Sequence, residues 1–307
     1  MRKVIIEVRQ NEYARRDINP HVPWTPAEIA QDAKECQAAG ASIAHFHARG
    51  ANGAPDHSYE VYRDIVAALR KSCDMLIHPT LGAYAASGDA AARLSHIVRL
   101  VEDGLKPDLV PLDVASSNAD MVDPATNRFI TDDVVYVNST RTLHYFAERL
   151  REAGIKPYAQ AWNIPSLRQI IAFAQSGVLA QPLFLALTMT EGGALSSHPG
   201  SSAGLQAYLP FLPEGMTFQW STTLFGGNLL PLVGMIVERG GHISIGIGDY
   251  PYTEIGTPTN AQLVARVAQI IRDSGNEVAS PADVRAMIGL GVGKTSSGAS
   301  APERRSA

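Results

Sequence analysis

The sequence predicts an α/β fold, a (β/α)8 TIM barrel, on three observations. Eight short apolar runs alternate with long amphipathic segments through the whole chain. Helix start and stop signals fall between those runs. No Gly-rich phosphate loop follows the first strand, where a doubly wound open sheet, the alternative, usually carries one. A chain of 307 residues with 45% hydrophobic content is long enough for one large core.

The first strand is read at 4–8 (VIIEV) and the first helix at 25–39, where Thr25-Pro26 with Glu28 forms a helix start and Gly40 a stop. Strand 42–48 (SIAHFHA) precedes helix 57–73, and strand 75–80 (MLIHPT) precedes helix 88–103. Strand 108–114 (DLVPLDV) leads to helix 140–154, and strand 156–162 (KPYAQAW) to helix 164–177. Strand 183–189 (LFLALTM) is followed by a Gly/Ser/Pro-rich connection over 190–216, of the kind that becomes a binding loop. Strand 217–223 (TFQWSTT) with helix 228–240, and strand 242–248 (HISIGIG) with helix 259–275, complete eight units. Residues 1–293 thus read as a single barrel domain, and the polar segment 294–307 as a disordered tail.

A net charge of −4 without any Lys/Arg block argues against nucleic acid or an anionic membrane as a main partner. Cys36 and Cys73 are read as free thiols. No stretch reaches the roughly 18 apolar residues of a membrane span, and "MRKVIIEVRQ" is too short for a signal peptide. The expectation is a soluble, cytoplasmic protein acting on a small molecule.

The second strand carries the chemistry. Side chains at i and i+2 share a strand face, so His45 and His47 point the same way, at the C-terminal end where a barrel builds its active site. Two imidazoles there suit one metal ion, which needs a third protein ligand and an open position. Glu12, after the first strand, and Asp249, after the last, are the candidates for third ligand or general base. Glu7 faces either the helices or an arginine. Arg49 is a candidate anion anchor, and Thr80, Gly82, Asp113 and Asn118 are candidate substrate contacts. His78 lines the barrel or packs outward, His242 reads as structural, and His21, His96, His144 and His198 read as surface residues.

The segment "NPHVPWTPAEIAQDAKECQAAGASIAHFHARGANGAP", with "GGHISIGIGDY" and "TPTNAQLVARVAQIIRDSG" near the C-terminus, resembles the β-keto acid cleavage enzymes over about residues 3–291. The resemblance implies a zinc-dependent barrel, a homo-oligomer (dimer or tetramer), and acetyl-CoA as co-substrate. It implies a Claisen-type exchange yielding acetoacetate and a new acyl-CoA. His45 and His47 match the family's zinc histidines, and Asp249 its catalytic aspartate. Glu12 matches its N-terminal glutamate if one residue is inserted; otherwise Tyr13 takes that place.

The departures from that pattern are specific. Ser244 stands where the family usually carries an arginine, and Gly248 where it carries a glutamate as third zinc ligand. Gly226-Gly227-Asn228 replaces a Gly-Arg pair, and Pro111 with Asp113 replaces the polar pair that seats the substrate carboxylate. An altered, neutral or cationic substrate is therefore expected, and restoring Gly248→Glu is expected to tighten metal. The alternatives are a metal-dependent hydrolase barrel or a non-catalytic ligand-binding homologue.

Overall fold

The computed structural model describes residues 1–81, 89–114 and 116–291. Eight parallel strands form the barrel: β1 (Ile6–Arg9), β2 (Ile43–Phe46), β3 (Leu76–Pro79), β4 (Leu109–Val114), β5 (Lys156–Ala161), β6 (Leu183–Thr190), β7 (Phe218–Phe225) and β8 (His242–Ile245). Their hydrogen-bonded order runs β3-β2-β1-β8-β7-β6-β5-β4. The ring is nearly closed, and the physical reason for its seam lies between β3 and β4. Asp108 N–H donates to the Ile77 carbonyl (3.0 Å), while the Asp108 carboxylate accepts the Ile77 N–H (2.9 Å). Pro79, two residues along the same edge, has no N–H to continue a ladder. Arg70 and Arg285 hold Asp108 at this junction.

Around the barrel run α1 (Pro26–Ala39), α2 (Tyr59–Ser72), α3 (Ala90–Glu102), α4 (Thr140–Ala153), α5 (Ile164–Gln175), α6 (Ser202–Tyr208), α7 (Val233–Glu238) and α8 (Asn260–Asp273). Local chemistry explains their limits. The Thr25–Glu28 capping box and Pro26 start α1, and Gly40 at φ 121° ends it. Tyr59, Tyr62, Ile65, Val66 and Leu69 make the apolar stripe that α2 lays on the strands. Helix–strand packing then encloses one large apolar cluster, from Val4 through Ile271.

A second cluster plugs the N-terminal end of the barrel. Ile5, Ile43, Leu76, Leu109, Tyr158 and Phe184 meet Val284 and Ile288 of α9 (Pro281–Met287) there. This closure leaves the C-terminal end as the open mouth.

The eight units stand where the sequence places them, with ends shifted by a few residues. The helix expected over 228–240 is a 3-10 turn at Leu230–Leu232 followed by a short α7, because Pro231 removes a donor. Helices α6 and α9, and two small hairpins within 117–136, were not visible in the periodicity, being two to seven residues long. The tail expected over 294–307 lies outside the described residues. Among the described residues no helix is long and apolar enough to cross a membrane.

One polar knot ties α1 and α8 to β1. The Asp32 carboxylate accepts from Gln10 Nε2 (2.8 Å) and Asn260 Nδ2 (3.0 Å). Burial pushes the Asp32 carboxyl up to about 7, against the opposing hydrogen bonds from Gln10 and Asn260. The folded protein therefore keeps a proton that the unfolded chain loses near pH ~4, so stability falls as pH rises from ~4 to about 7. Asp32→Asn, which can still accept both bonds, should have a Tm that gains on wild type across that interval in thermal melts. A constant Tm difference would refute the linkage.

Candidate active site

The open mouth of the barrel holds a cavity of about 140 Å³. Arg9, Glu12, His45, His47, Thr80, Asp113, Thr223 and Asp249 line it, together with Tyr13, Tyr136, Trp162 and Phe225. Alternation along β1 turns Glu7 and Arg9 inward. The chain then leaves the strand through a tight turn that places Glu12 at φ 20°. Asn11 clamps this turn to the next strand: Asn11 Nδ2 donates to the His47 carbonyl (2.9 Å) and Asn11 Oδ1 accepts the His47 N–H (2.8 Å).

Beside the turn, His45 Nδ1 lies 2.9 Å from the His78 carbonyl. A carbonyl only accepts, so the proton sits on Nδ1 and the Nε2 lone pair is left facing Glu12 Oε1 at 3.4 Å. Burial, reinforced by the Arg9 charge, lowers the basicity of both His45 and His47 well below the ordinary imidazole value. Both rings are thus neutral.

Glu12 and Asp249 share Arg9. Arg9 Nε lies 2.7 Å from Asp249 Oδ2 and 3.3 Å from Glu12 Oε1. Thr223 Oγ1 donates to the same Asp249 oxygen (2.8 Å), which leaves Asp249 Oδ1 buried and without a hydrogen bond. Burial pushes the Glu12 carboxyl well above its ordinary value and raises that of Asp249, although Arg9 opposes both shifts. Among the described residues, both Glu12 oxygens and His45 Nε2 are also buried without hydrogen-bond partners. Ligand atoms of Glu12, His45 and His47 all lie within 4.8 Å of one another. Two neutral imidazoles and an unsatisfied carboxylate are a donor set that fits a divalent ion.

In a deeper triad, Glu7, His45 and His78, both Glu7 oxygens are engaged by internal bonds. His78 Nδ1 pairs with Glu7 Oε1 (2.6 Å), and Ser244 Oγ donates to Glu7 Oε2 (2.5 Å). Burial works against the Glu7 charge, yet His78, Arg9 and Ser244 outweigh it and hold that carboxyl below its ordinary value. This layer supports His45 from beneath.

Several expectations are corrected by these placements. Arg49 is no anion anchor: it is buried outside the cavity and donates to the carbonyls of Glu12 and Ala14, so it holds the Glu12 turn in shape. Asn118 is exposed in a short hairpin strand and does not line the cavity, although its neighbour Ala119 does. Glu7 and His78 both face inward. His96 is buried, with Nε2 3.3 Å from the Thr80 carbonyl, rather than on the surface. His242 is structural, engaged by the Ile5 N–H (3.1 Å) and by Gln219 (2.8 Å). Thr80 and Asp113 do line the cavity, whereas Gly82 lies outside the described residues. Arg9 was missed; its signal was the inward i, i+2 spacing from Glu7 at the end of a strand.

Comparisons with known proteins identify the family. A family model described as beta-keto acid cleavage enzyme matches residues 3–290. The chain belongs to the β-keto acid cleavage enzyme family. It is 28% identical over 278 residues, 90% of this chain and 93% of the relative, to the 3-keto-5-aminohexanoate cleavage enzyme of Acetoanaerobium sticklandii. It is 26% identical over 294 residues, 88% and 90% of the two chains, to 3-dehydrocarnitine:acetyl-CoA trimethylamine transferase of Rhizobium meliloti. The solved structure of ObcA superposes with a TM-score of 0.66 at 16% identity, covering 88% of this chain and 66% of ObcA, a likeness of fold alone.

Within this β-keto acid cleavage enzyme, Gly248 is explained by space. A Cβ at that position would lie 1.5 Å from Glu12 Oε2 and 2.7 Å from the Asn11 backbone nitrogen. The Glu12 carboxylate thus occupies the volume that a side chain at 248 would need. This reverses the expectation that Gly248→Glu tightens metal. Gly248→Ala should expel the Glu12 carboxylate and weaken metal binding at least about tenfold, read by competition with a chelating dye; unchanged affinity would dismiss the packing argument.

Proposed function

We propose that this chain cleaves a β-keto acid with acetyl-CoA as co-substrate, using a divalent metal, zinc by its donor set, held by His45, His47 and Glu12. The observation that carries this reading is the convergence of those three ligand groups, with the Glu12 oxygens and His45 Nε2 lacking hydrogen-bond partners among the described residues, beside Asp249, in a member of this family. The names of the relatives support acetyl-CoA as the acceptor. When bound, the metal would withdraw electron density from the keto and carboxylate oxygens and so acidify the carbon between them.

The chain's own groups then have distinct tasks. Arg9 is the guanidinium at the cavity, and with its Nε committed to Asp249 and Glu12 its terminal nitrogens seat the substrate carboxylate. It thereby replaces, from β1, the arginine that Ser244 lacks on β8. Asp249 Oδ1 takes the proton from the carbon between the keto and carboxylate groups. Thr223 and Arg9 fix the other oxygen, and burial raises the basicity of the pair.

The resulting carbanion carbon attacks the thioester carbonyl of acetyl-CoA and expels the thiolate of coenzyme A. That thiolate adds to the original keto carbon, the bond between this carbon and its former α-carbon breaks, and the α-carbon takes back the proton held by Asp249. Acetoacetate and a new acyl-CoA result, with no net redox change. Homo-oligomerisation and a cytoplasmic location belong to the same reading.

The direct test is metal analysis together with formation of acetoacetate and acyl-CoA from a panel of β-keto acids. Acyl-CoA formation that persists after complete chelation of metal would overturn metal dependence. Asp249→Asn should lower kcat by about 10²–10⁴-fold while metal content stays at wild-type level; near-normal turnover would remove it as the base. His45→Ala with His47→Ala should yield folded protein without bound metal by elemental analysis, and a stoichiometric ion in that double variant would place the site elsewhere.

A further inference from the structure

We infer that the wall of the cavity on β4 is a cation-binding subsite, built on Asp113, that selects β-keto acids whose distal end carries an ammonium group. This rests on the reaction proposed above and names its substrate class.

Asp113 projects into the cavity between two buried core residues, Leu112 and Val114, and pairs in register with Gln160 of β5. In the strand order β4 lies half a ring away from β8 and β1, so Asp113 faces the Arg9, Glu12 and Asp249 cluster across the barrel mouth. A substrate gripped there by its keto acid end directs its other end towards Asp113. Two neutral donors hold this carboxylate: Tyr136 Oη donates to Oδ2 (2.5 Å) and Trp162 Nε1 to Oδ1 (3.2 Å). They orient it without cancelling its charge. Among the described residues no cation forms an ion pair with Asp113.

The surroundings complete a cation site rather than a solvated acid. Tyr136 and Trp162 meet edge to face (6.2 Å between centroids, 75° between planes), and Phe225 lines the same cavity. Aromatic faces attract a positive charge, and an organic ammonium is desolvated more readily than a metal ion or a proton. A distal carboxylate would meet the unpaired Asp113 charge, and a neutral alkyl group would gain burial alone. The hairpin strand bearing Tyr136 is itself anchored, through Ser117 paired with Tyr136 and the Asn138 N–H on Ser116 Oγ.

Two readouts test this. The first is binding without turnover: Trp162 fluorescence is titrated with choline and with its neutral isostere 3,3-dimethyl-1-butanol, with Trp162→Phe as control. Choline should bind at least about tenfold more tightly in wild type, and that preference should vanish in Asp113→Asn. Equal affinity for the two probes, no saturable choline response, or a preference kept in Asp113→Asn overturns the subsite.

The second readout is the kcat/KM ratio between a trimethylammonium-terminated β-keto acid and its tert-butyl isostere. Taken as a ratio within each protein, it cancels any loss of folded enzyme. It should exceed about tenfold in wild type, mainly through KM, and approach one in Asp113→Asn. Cleavage without charge preference overturns the subsite and leaves the reaction standing. Choline preference without cleavage of any β-keto acid upholds the subsite and overturns the reaction.

Discussion

The site depends on one buried charge arrangement, the Arg9 guanidinium between Asp249 and Glu12. One guanidinium is set between two buried carboxyl groups whose affinity for protons burial raises, in a compartment where burial lowers the basicity of the neighbouring imidazoles. Isolated ionised groups are costly to bury, so such a cluster persists only when its charges are paired and its remaining lone pairs are used. Thr223 uses one oxygen of Asp249. The oxygens of Glu12 that lack hydrogen bonds among the described residues, beside the lone pair of His45, are the part that the proposed divalent ion would complete.

The approach of β1 to β8 makes this arrangement possible. A Cβ on Gly246 would lie 1.7 Å from the Arg9 carbonyl oxygen, and one on Gly248 would meet the Glu12 carboxylate. Two glycines at alternate positions therefore let the end of β1 fold across the end of β8. The Glu12 turn, at positive φ, is then held by Arg49 from one side and Asn11 from the other. Seen this way, Ser244 and Gly248 are not simple losses. Ser244 supports Glu7, and the absent side chain at 248 leaves the space that the Glu12 carboxylate fills.

Charge also organises the cavity across its width. The β1–β8 side holds a guanidinium, two carboxyl groups and two imidazoles, whereas the β4–β5 side presents a carboxylate that, among the described residues, is held by indole and phenol and by no cation. An elongated substrate with an acidic head and a cationic tail is complementary to both ends. Its orientation would thus be set before chemistry begins.

The sequence by itself determined the barrel, the order of its units and the place of His45 and His47, because these follow from local periodicity, capping residues and strand alternation. Glu12, Asp249, Thr80 and Asp113 were legible for the same reason: each sits at the C-terminal end of a strand. Tertiary structure alone decided how they combine. Arg49 sits next to the histidines in sequence but turns away to bind backbone, and Arg9, inconspicuous in the first strand, occupies the cavity. His96 reads as a polar helix residue but is buried against Tyr62, since helix periodicity does not report which neighbour covers a face. Gly248 reads as a missing ligand until the distance to Glu12 shows it to be the space that ligand needs. Alternation tells which way a side chain points; only the closure of the barrel, which brings the first strand against the last, tells what it meets.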